Sequence, residues 1–152
     1  PFYVKSVEDL NNGSKHVEMD LFNHQTSAQS DAVKTRLAII AKHGEYDDAC
    51  KEELKEKNLE SQKRNYTVLN PKGQSPTIVT MPDDFIHYSQ PRALTVREAS
   101  ILQTFPIDYK FVENENEIYM TKLGTHIGNA VPVQLGYIIG ESIKKHLKEY
   151  RL

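Results

Sequence analysis

The chain has 152 residues, 38% hydrophobic and 26% charged, with a formal net charge of -2, a length that suits one domain or a piece of a larger one burying roughly 68–70% of its unfolded surface. The slightly acidic balance argues against a general electrostatic nucleic-acid binder, whose domain is basic, although a local basic patch is compatible with it. Apolar runs such as Leu37 to Ala41 fall far short of the ~20 residues that span a membrane, and the lone cysteine, Cys50, excludes an internal disulfide and points to a reducing compartment.

In chain order, Phe2-Tyr3-Val4 is a short strand candidate and Asn11-Asn12-Gly13-Ser14 a turn. The opening at Pro1 in place of Met reads as mid-protein sequence, a processed product or a subunit. Residues 27–43 read as a helix, with Ala32, Val33, Leu37, Ile40 and Ala41 near one face, Ser27 or Ser30 as cap and Gly44 as stop. Residues 46–64 read as a second, very polar helix anchored by Leu54 and Leu59. Cys50 sits on it among Asp47, Asp48 and Glu52, whose carboxylates raise a thiol pKa, so it reads as a half-buried helix cysteine. Tyr66–Leu69 and Thr77–Thr80 are strand candidates on either side of a turn at Asn70-Pro71-Lys72-Gly73. Met81 to Arg92 reads as an ordered loop. Thr95-Val96-Arg97-Glu98 is a capping box that opens a helix to about Gln103, ended by Pro106. Tyr109–Val112 and Ile118–Met120 pair as a hairpin around Glu113-Asn114-Glu115-Asn116. A last helix starts near Pro132, with Leu135, Ile138, Ile139, Ser142, Ile143 and His146 on one face and Lys144, Lys145 and Lys148 toward its C-terminus.

Two segments carry more. Pro91 to Pro106 holds the pattern R-x-L-T-x-R-E-A-x-x-L-Q-x-F-P, and Gly124 to Gly136 holds I-G-N-A-V-P at the opening of a helix. In the second, a Gly–Asn pair just before a helix places free backbone N–H groups at its positive end, where an anion can be held. Gly128 permits close backbone approach or positive φ, and Asn129 can bridge backbone groups or touch a ligand; equally, the pair can be a plain helix entry. In the first, Glu98 closes the capping box and Arg97 can meet a carboxylate or backbone carbonyls.

In order and spacing these segments resemble the last two motifs, the ninth and tenth, of the DNA (cytosine-5) methyltransferases, and Ser75-Pro76-Thr77-Ile78 resembles the return from that family's variable target-recognition region. The resemblance covers residues 75–147. It implies an α+β fold: a small mixed recognition lobe and a C-terminal helix that docks on a Rossmann-like methyltransferase domain absent from the chain. Residues 1–75 are then part of the target-recognition region and 76–152 the segment with the two motifs and the docking helix. It implies S-adenosylmethionine as cofactor, with Gly128, Asn129, Ala130 and Val131 as one wall of a site that the catalytic domain completes. Arg92, Thr95, Arg97 and Glu98 hold the two lobes together. Lys63, Arg64 and Lys72 are the residues expected at DNA phosphates.

The same comparison marks what these residues do not carry. The family's nucleophile is a cysteine in a Pro-Cys motif, and here Ala49 precedes Cys50. Glu113-Asn114 is followed by Glu115 where the family has Glu-Asn-Val, and it stands after the ninth motif instead of before it. His126 and Gly124 replace a usual glutamine and a usual aromatic. No catalytic residue is therefore assigned, and the chain alone is expected to be inactive. The six histidines, His16, His24, His43, His87, His126 and His146, show no metal-ligand spacing, and His87 reads as structural. The expected function is that of a fragment or subunit of an enzyme transferring a methyl group to cytosine C5 in DNA, of the restriction-modification kind. The rival is a non-catalytic DNA-recognition or regulatory module derived from such an enzyme. Expected partners are double-stranded DNA and a catalytic half, in cis or as a separate subunit, with self-association of the isolated chain and no membrane. The expected setting is the cytoplasm of a prokaryote, or phage-like and intracellular.

Overall fold

Polar caps set the ends of the first two helices. A computed structural model describes residues 23–24, 26, 28–63, 65–80, 82–111 and 120–150. Helix α1, Asp31–His43, begins where the Ser30 hydroxyl accepts the Val33 N–H, and it ends at Gly44, whose φ of 78° lets its N–H turn back to the Ile40 carbonyl. Helix α2, Asp48–Glu56, is capped by Asp47, which accepts the Cys50 N–H. It is far shorter than the expected 46–64. Asn58 adopts φ 55°, its N–H bonds the Lys55 carbonyl, and the Leu59 N–H bonds the Leu54 carbonyl at 2.8 Å. That pair of bonds is a Schellman ending, with asparagine doing the work of glycine. Leu37, Ile39 and Ile40 of α1 pack on Cys50 and Leu54 of α2, with Tyr66 and Ile86 completing the cluster.

Thr67–Val68 (β1) and Phe85–Ile86 (β2) pair in parallel, Thr67 opposite Phe85 and Val68 opposite Ile86. Successive strand residues point to opposite faces. Ile86 accordingly enters the first cluster and Phe85 a second, shared with Ile78, Leu94, Val96, Ala99, Leu123 and Ile127. The Tyr66–Leu69 strand is thus cut to two residues. Thr77–Thr80 forms no strand; its end instead closes against the backbone at Gly128.

Helix α3, Val96–Leu102, carries the complete capping box of Thr95 and Glu98. Its end is also a Schellman ending: the Thr104 N–H bonds the Ile101 carbonyl at 2.8 Å and the Phe105 N–H bonds the Ser100 carbonyl at 3.0 Å. Met120 begins helix α4, Met120–Asn129, rather than ending a hairpin; Val112 to Tyr119, and with them most of that expectation, lie outside the described residues, as does Phe2-Tyr3-Val4. Gly124, Thr125 and Gly128 are weak helix formers. Packing decides the helix: Leu123 and Ile127, one turn apart, are buried in the second cluster. Helix α5, Val133–Tyr150, follows directly and has no buried residue. The described residues are helices with one small two-stranded sheet, the α+β class. None of their helices is long and apolar enough to cross a membrane.

Candidate cofactor wall and nucleic-acid contacts

Glu98 is the centre of a polar knot at the start of α3. Its two carboxylate oxygens each receive an Arg92 guanidinium N–H at 2.7 Å, and one also accepts the Thr95 N–H at 2.9 Å. Burial pushes the Glu98 carboxyl up, but Arg92 and the Thr95 N–H outweigh it and hold it below the usual carboxylate range. His87 stands 3.8 Å from the same carboxylate; burial lowers its pKa, Glu98 opposes and Arg92 assists. The Thr95 hydroxyl accepts the Glu98 N–H and meets His24 Nδ1 at 3.1 Å. Arg97, one residue on, is 1% exposed. It donates to the Tyr109 carbonyl at 2.6 Å and the Pro106 carbonyl at 3.4 Å and lies 5.5 Å from the Phe111 ring. It thus makes the pairing with backbone carbonyls, and the Asp108 carboxylate lies near enough to favour its charge. This holds the loop after α3 against the helix.

The four residues of the expected cofactor wall straddle a helix end. Gly128 and Asn129 close α4, and Ala130 and Val131 lead into α5. This corrects the helix-start argument. Gly128 and Asn129 sit at the negative end of one helix, while the first two N–H groups of the next are already used. Val133 N–H donates to the Gln103 carbonyl at 3.2 Å and Gln134 N–H to the Thr104 hydroxyl at 2.9 Å. Gly128 serves close approach: a Cβ there would lie 2.5 Å from the backbone of Val79 and Thr80. Asn129 is exposed and Val131 is 63% exposed. The turn thus offers an amide and an apolar side chain from a fixed backbone. Any polar contact made there comes from side chains rather than from a helix N-terminus.

The residues expected at phosphate are not gathered. Lys63 is ion-paired with Asp84 at 3.1 Å and lies over the Tyr66 ring at 5.7 Å. It lines a cavity of about 440 Å³ with Arg36, Ser61 and Tyr66. Lys72 is exposed on the Asn70–Gly73 turn, its N–H held by the Asn70 side chain at 2.9 Å. That turn borders a different cavity, of about 320 Å³, with His87, Glu98 and Leu102. Arg64 lies outside the described residues. Cys50 is fully buried, more than the half expected, and burial, then Asp47 and Glu53, raise its thiol pKa. It has none of the properties of a nucleophile. Among the described residues no group of His, Cys, Asp and Glu could hold a metal ion.

Gln103 carries a role beyond the motif match. It is 6% exposed, and its side-chain amide donates to the Ile127 and Ala130 carbonyls at 3.1 and 3.4 Å. The available signal was its place at helical spacing from Val96 and Ala99, the buried stripe of α3. A polar side chain on that line must find partners inside.

A family model described as C-5 cytosine-specific DNA methylase matches residues 3–145. The chain is 43% identical to the Type II methylase M.HgiDII of Herpetosiphon aurantiacus over 79 residues, 49% of this chain and 22% of that protein. It is 37% identical to the Type II methyltransferase M.AquIB of Picosynechococcus sp. over 90 residues, 54% of this chain and 64% of that protein. It is 35% identical to DNA (cytosine-5)-methyltransferase 1A of Oryza sativa subsp. japonica over 92 residues, 57% of this chain and 6% of that protein. The matched region thus spans from 6% to 64% of these relatives. No solved structure matches the chain significantly.

Proposed function

The chain belongs to the C-5 cytosine-specific DNA methylases, and from that premise we propose that these 152 residues serve as the C-terminal part of a DNA (cytosine-5) methyltransferase whose nucleophile stands on a catalytic part outside them. S-adenosylmethionine supplies the methyl group in this family. In this reading Asn129 and Val131 line one side of its site, and Gly128 and Ala130 set the backbone between them. Residues 1–75 contribute to DNA recognition, with Lys63, Arg64 and Lys72 at phosphates; residues 76–152 join the two lobes through the Arg92–Glu98 knot and carry the docking helix. The working enzyme acts on double-stranded DNA inside the cell.

One observation carries the reading. Helix α5 runs for 18 residues with none buried, and it exposes Leu135, Ile138, Ile139 and Ile143. A monomer rarely shows so continuous an apolar face to water. The catalytic part covers it, in cis or as a separate subunit. The separate form gains support from M.AquIB, a short chain named as a methyltransferase, of which 90 matched residues are 64%. Left alone, the chain self-associates through the same face.

The test combines the chain with a catalytic part bearing the Pro-Cys motif, and measures transfer of labelled methyl to cytosine in duplex DNA. Transfer is expected from the two together and from neither alone. Ile139→Asp should abolish it by burying an unpaired charge. Cysteine-dependent transfer by this chain alone, or stoichiometric micromolar binding of the cofactor by it alone, would overturn the division of labour. DNA binding with no contribution to transfer would mark a non-catalytic module instead.

A further inference from the structure

Helix α3 ends where α4 passes into α5, and one residue touches both. The last carbonyls of α4 and the first N–H groups of α5 have no partners within their own helices. Gln103 meets one or two groups on each side of the turn. Its side-chain amide donates to Ile127 O at 3.1 Å and Ala130 O at 3.4 Å. Its own carbonyl accepts the Val133 N–H at 3.2 Å. Its neighbour Thr104 adds a fourth bond, the hydroxyl accepting Gln134 N–H at 2.9 Å. Thr104 holds a φ of 60°, uncommon for a β-branched residue, and the Schellman ending of α3 is what keeps it there.

An apolar side chain of the same length would fill this space without needing buried partners. What the amide adds is a defined geometry: it ties the two sides of the turn to each other and to α3. The residues so enclosed are Gly128 to Val131. We infer that Gln103 is a positioning residue, which fixes the Ile127–Val133 turn and so sets where Asn129 and Val131 stand against the cofactor. The inference rests on the reading of that turn as a cofactor wall. It makes α3, at the lobe junction, the element that aligns the wall.

Gln103→Met keeps the side chain's length and removes both donors; Gln103→Glu sets a carboxylate against two carbonyls. The first readout is amide exchange by NMR on the 152-residue chain. The amides of Ala130, Val133 and Gln134 keep their own partners in Gln103→Met, the Ile127 carbonyl, the Gln103 backbone carbonyl and the Thr104 hydroxyl, but as the turn loosens their exchange should quicken about tenfold, while Ile39 and Ile40 in α1 stay unchanged. Unchanged exchange at the three turn amides, or equal quickening in α1, would overturn the clamp. If Gln103→Met does not fold, Thr104→Val removes only the bond to Gln134 and should quicken that amide alone; no change there would count equally against the clamp. The second readout uses the chain with its catalytic part. KM for S-adenosylmethionine should rise about tenfold with kcat within about twofold, the pattern of lost uniform binding. A loosened turn with an unaltered cofactor KM would refute the positioning role. No transfer from the wild-type combination would instead count against the reading of the chain as part of a methyltransferase, which the exchange measurement does not depend on.

Discussion

Replacing Gly128 by alanine puts the close approach of α4 to a numerical test. The new Cβ would stand 2.5 Å from Thr80 N and Val79 C and 2.6 Å from Thr80 Cα. Such atoms rest comfortably at about 3.5–4.0 Å, so the helix and the segment would have to part by about 1 Å. Both sides of the contact are backbone, with no flexible side chain to yield. Overpacking of this kind costs about 1–3 kcal/mol, while exchanging a helical glycine for alanine returns up to about 1 kcal/mol. With the full return the net loss should be up to about 2 kcal/mol, a fall in Tm of up to about 8 °C for a chain of this size. Gly136 and Gly140 of α5 meet nothing within 4 Å. The same substitution there should stabilise by about 0.8–1.0 kcal/mol each. Thermal and urea unfolding followed by circular dichroism reads all three variants. If Gly128→Ala stabilises as much as Gly136→Ala, the tight seam between α4 and the Val79–Thr80 backbone does not exist.

Breaking the Arg92–Glu98 pair by Glu98→Gln should cost about 2–3 kcal/mol at neutral pH, less than a fully buried pair because both side chains keep some solvent. Glu98 has a depressed folded-state pKa, so its contribution is present above the ordinary carboxylate range and lost as pH falls through the folded value. The gap between wild type and Glu98→Gln in urea unfolding should therefore close in acid, and a gap that widens would refute the assignment. Hydrogen bonds from Lys57 and then His43 lower Glu53 to about 2; its NMR titration should show that midpoint, rising most on Lys57→Ala. Cys50, fully buried, should react with iodoacetamide only as fast as the chain unfolds, and prompt labelling of the native protein would contradict its placement.

Local chemistry was legible where the signal and its partner lie within a few residues. The Ser30 and Thr95 caps, the Gly44 stop and the Asn70–Gly73 turn all fall where the sequence puts them. Features governed by distant contacts were not. Asn58 ends α2 early because Leu59 returns to Leu54 on a core that the local charge run does not reveal. Helix α4 forms through the burial of Leu123 and Ile127, against the preference of its glycines. That single difference moved Gly128 and Asn129 from a helix start to a helix end, and with it the electrostatic reading of the candidate site. Helical spacing from Val96 and Ala99 pointed the Gln103 amide inward, but its partners, 24 and 27 residues away, were not legible.

Strand β2 is two residues long, yet both hydrophobic clusters pass through it. Phe85 belongs to one and Ile86 to the other, and the dipeptide is held from two sides, by Leu69 N–H on the Ile86 carbonyl and Leu94 N–H on the Phe85 carbonyl. A slip of one residue would exchange the faces of these side chains and empty both clusters at once. Single-residue insertions or deletions between Pro82 and Ile86 should therefore be lethal to folding, whereas the exposed Asn70–Gly73 turn should absorb them. The two halves of the body cannot melt separately either: denaturation should follow one sigmoid whether observed at Tyr66 or at Phe85.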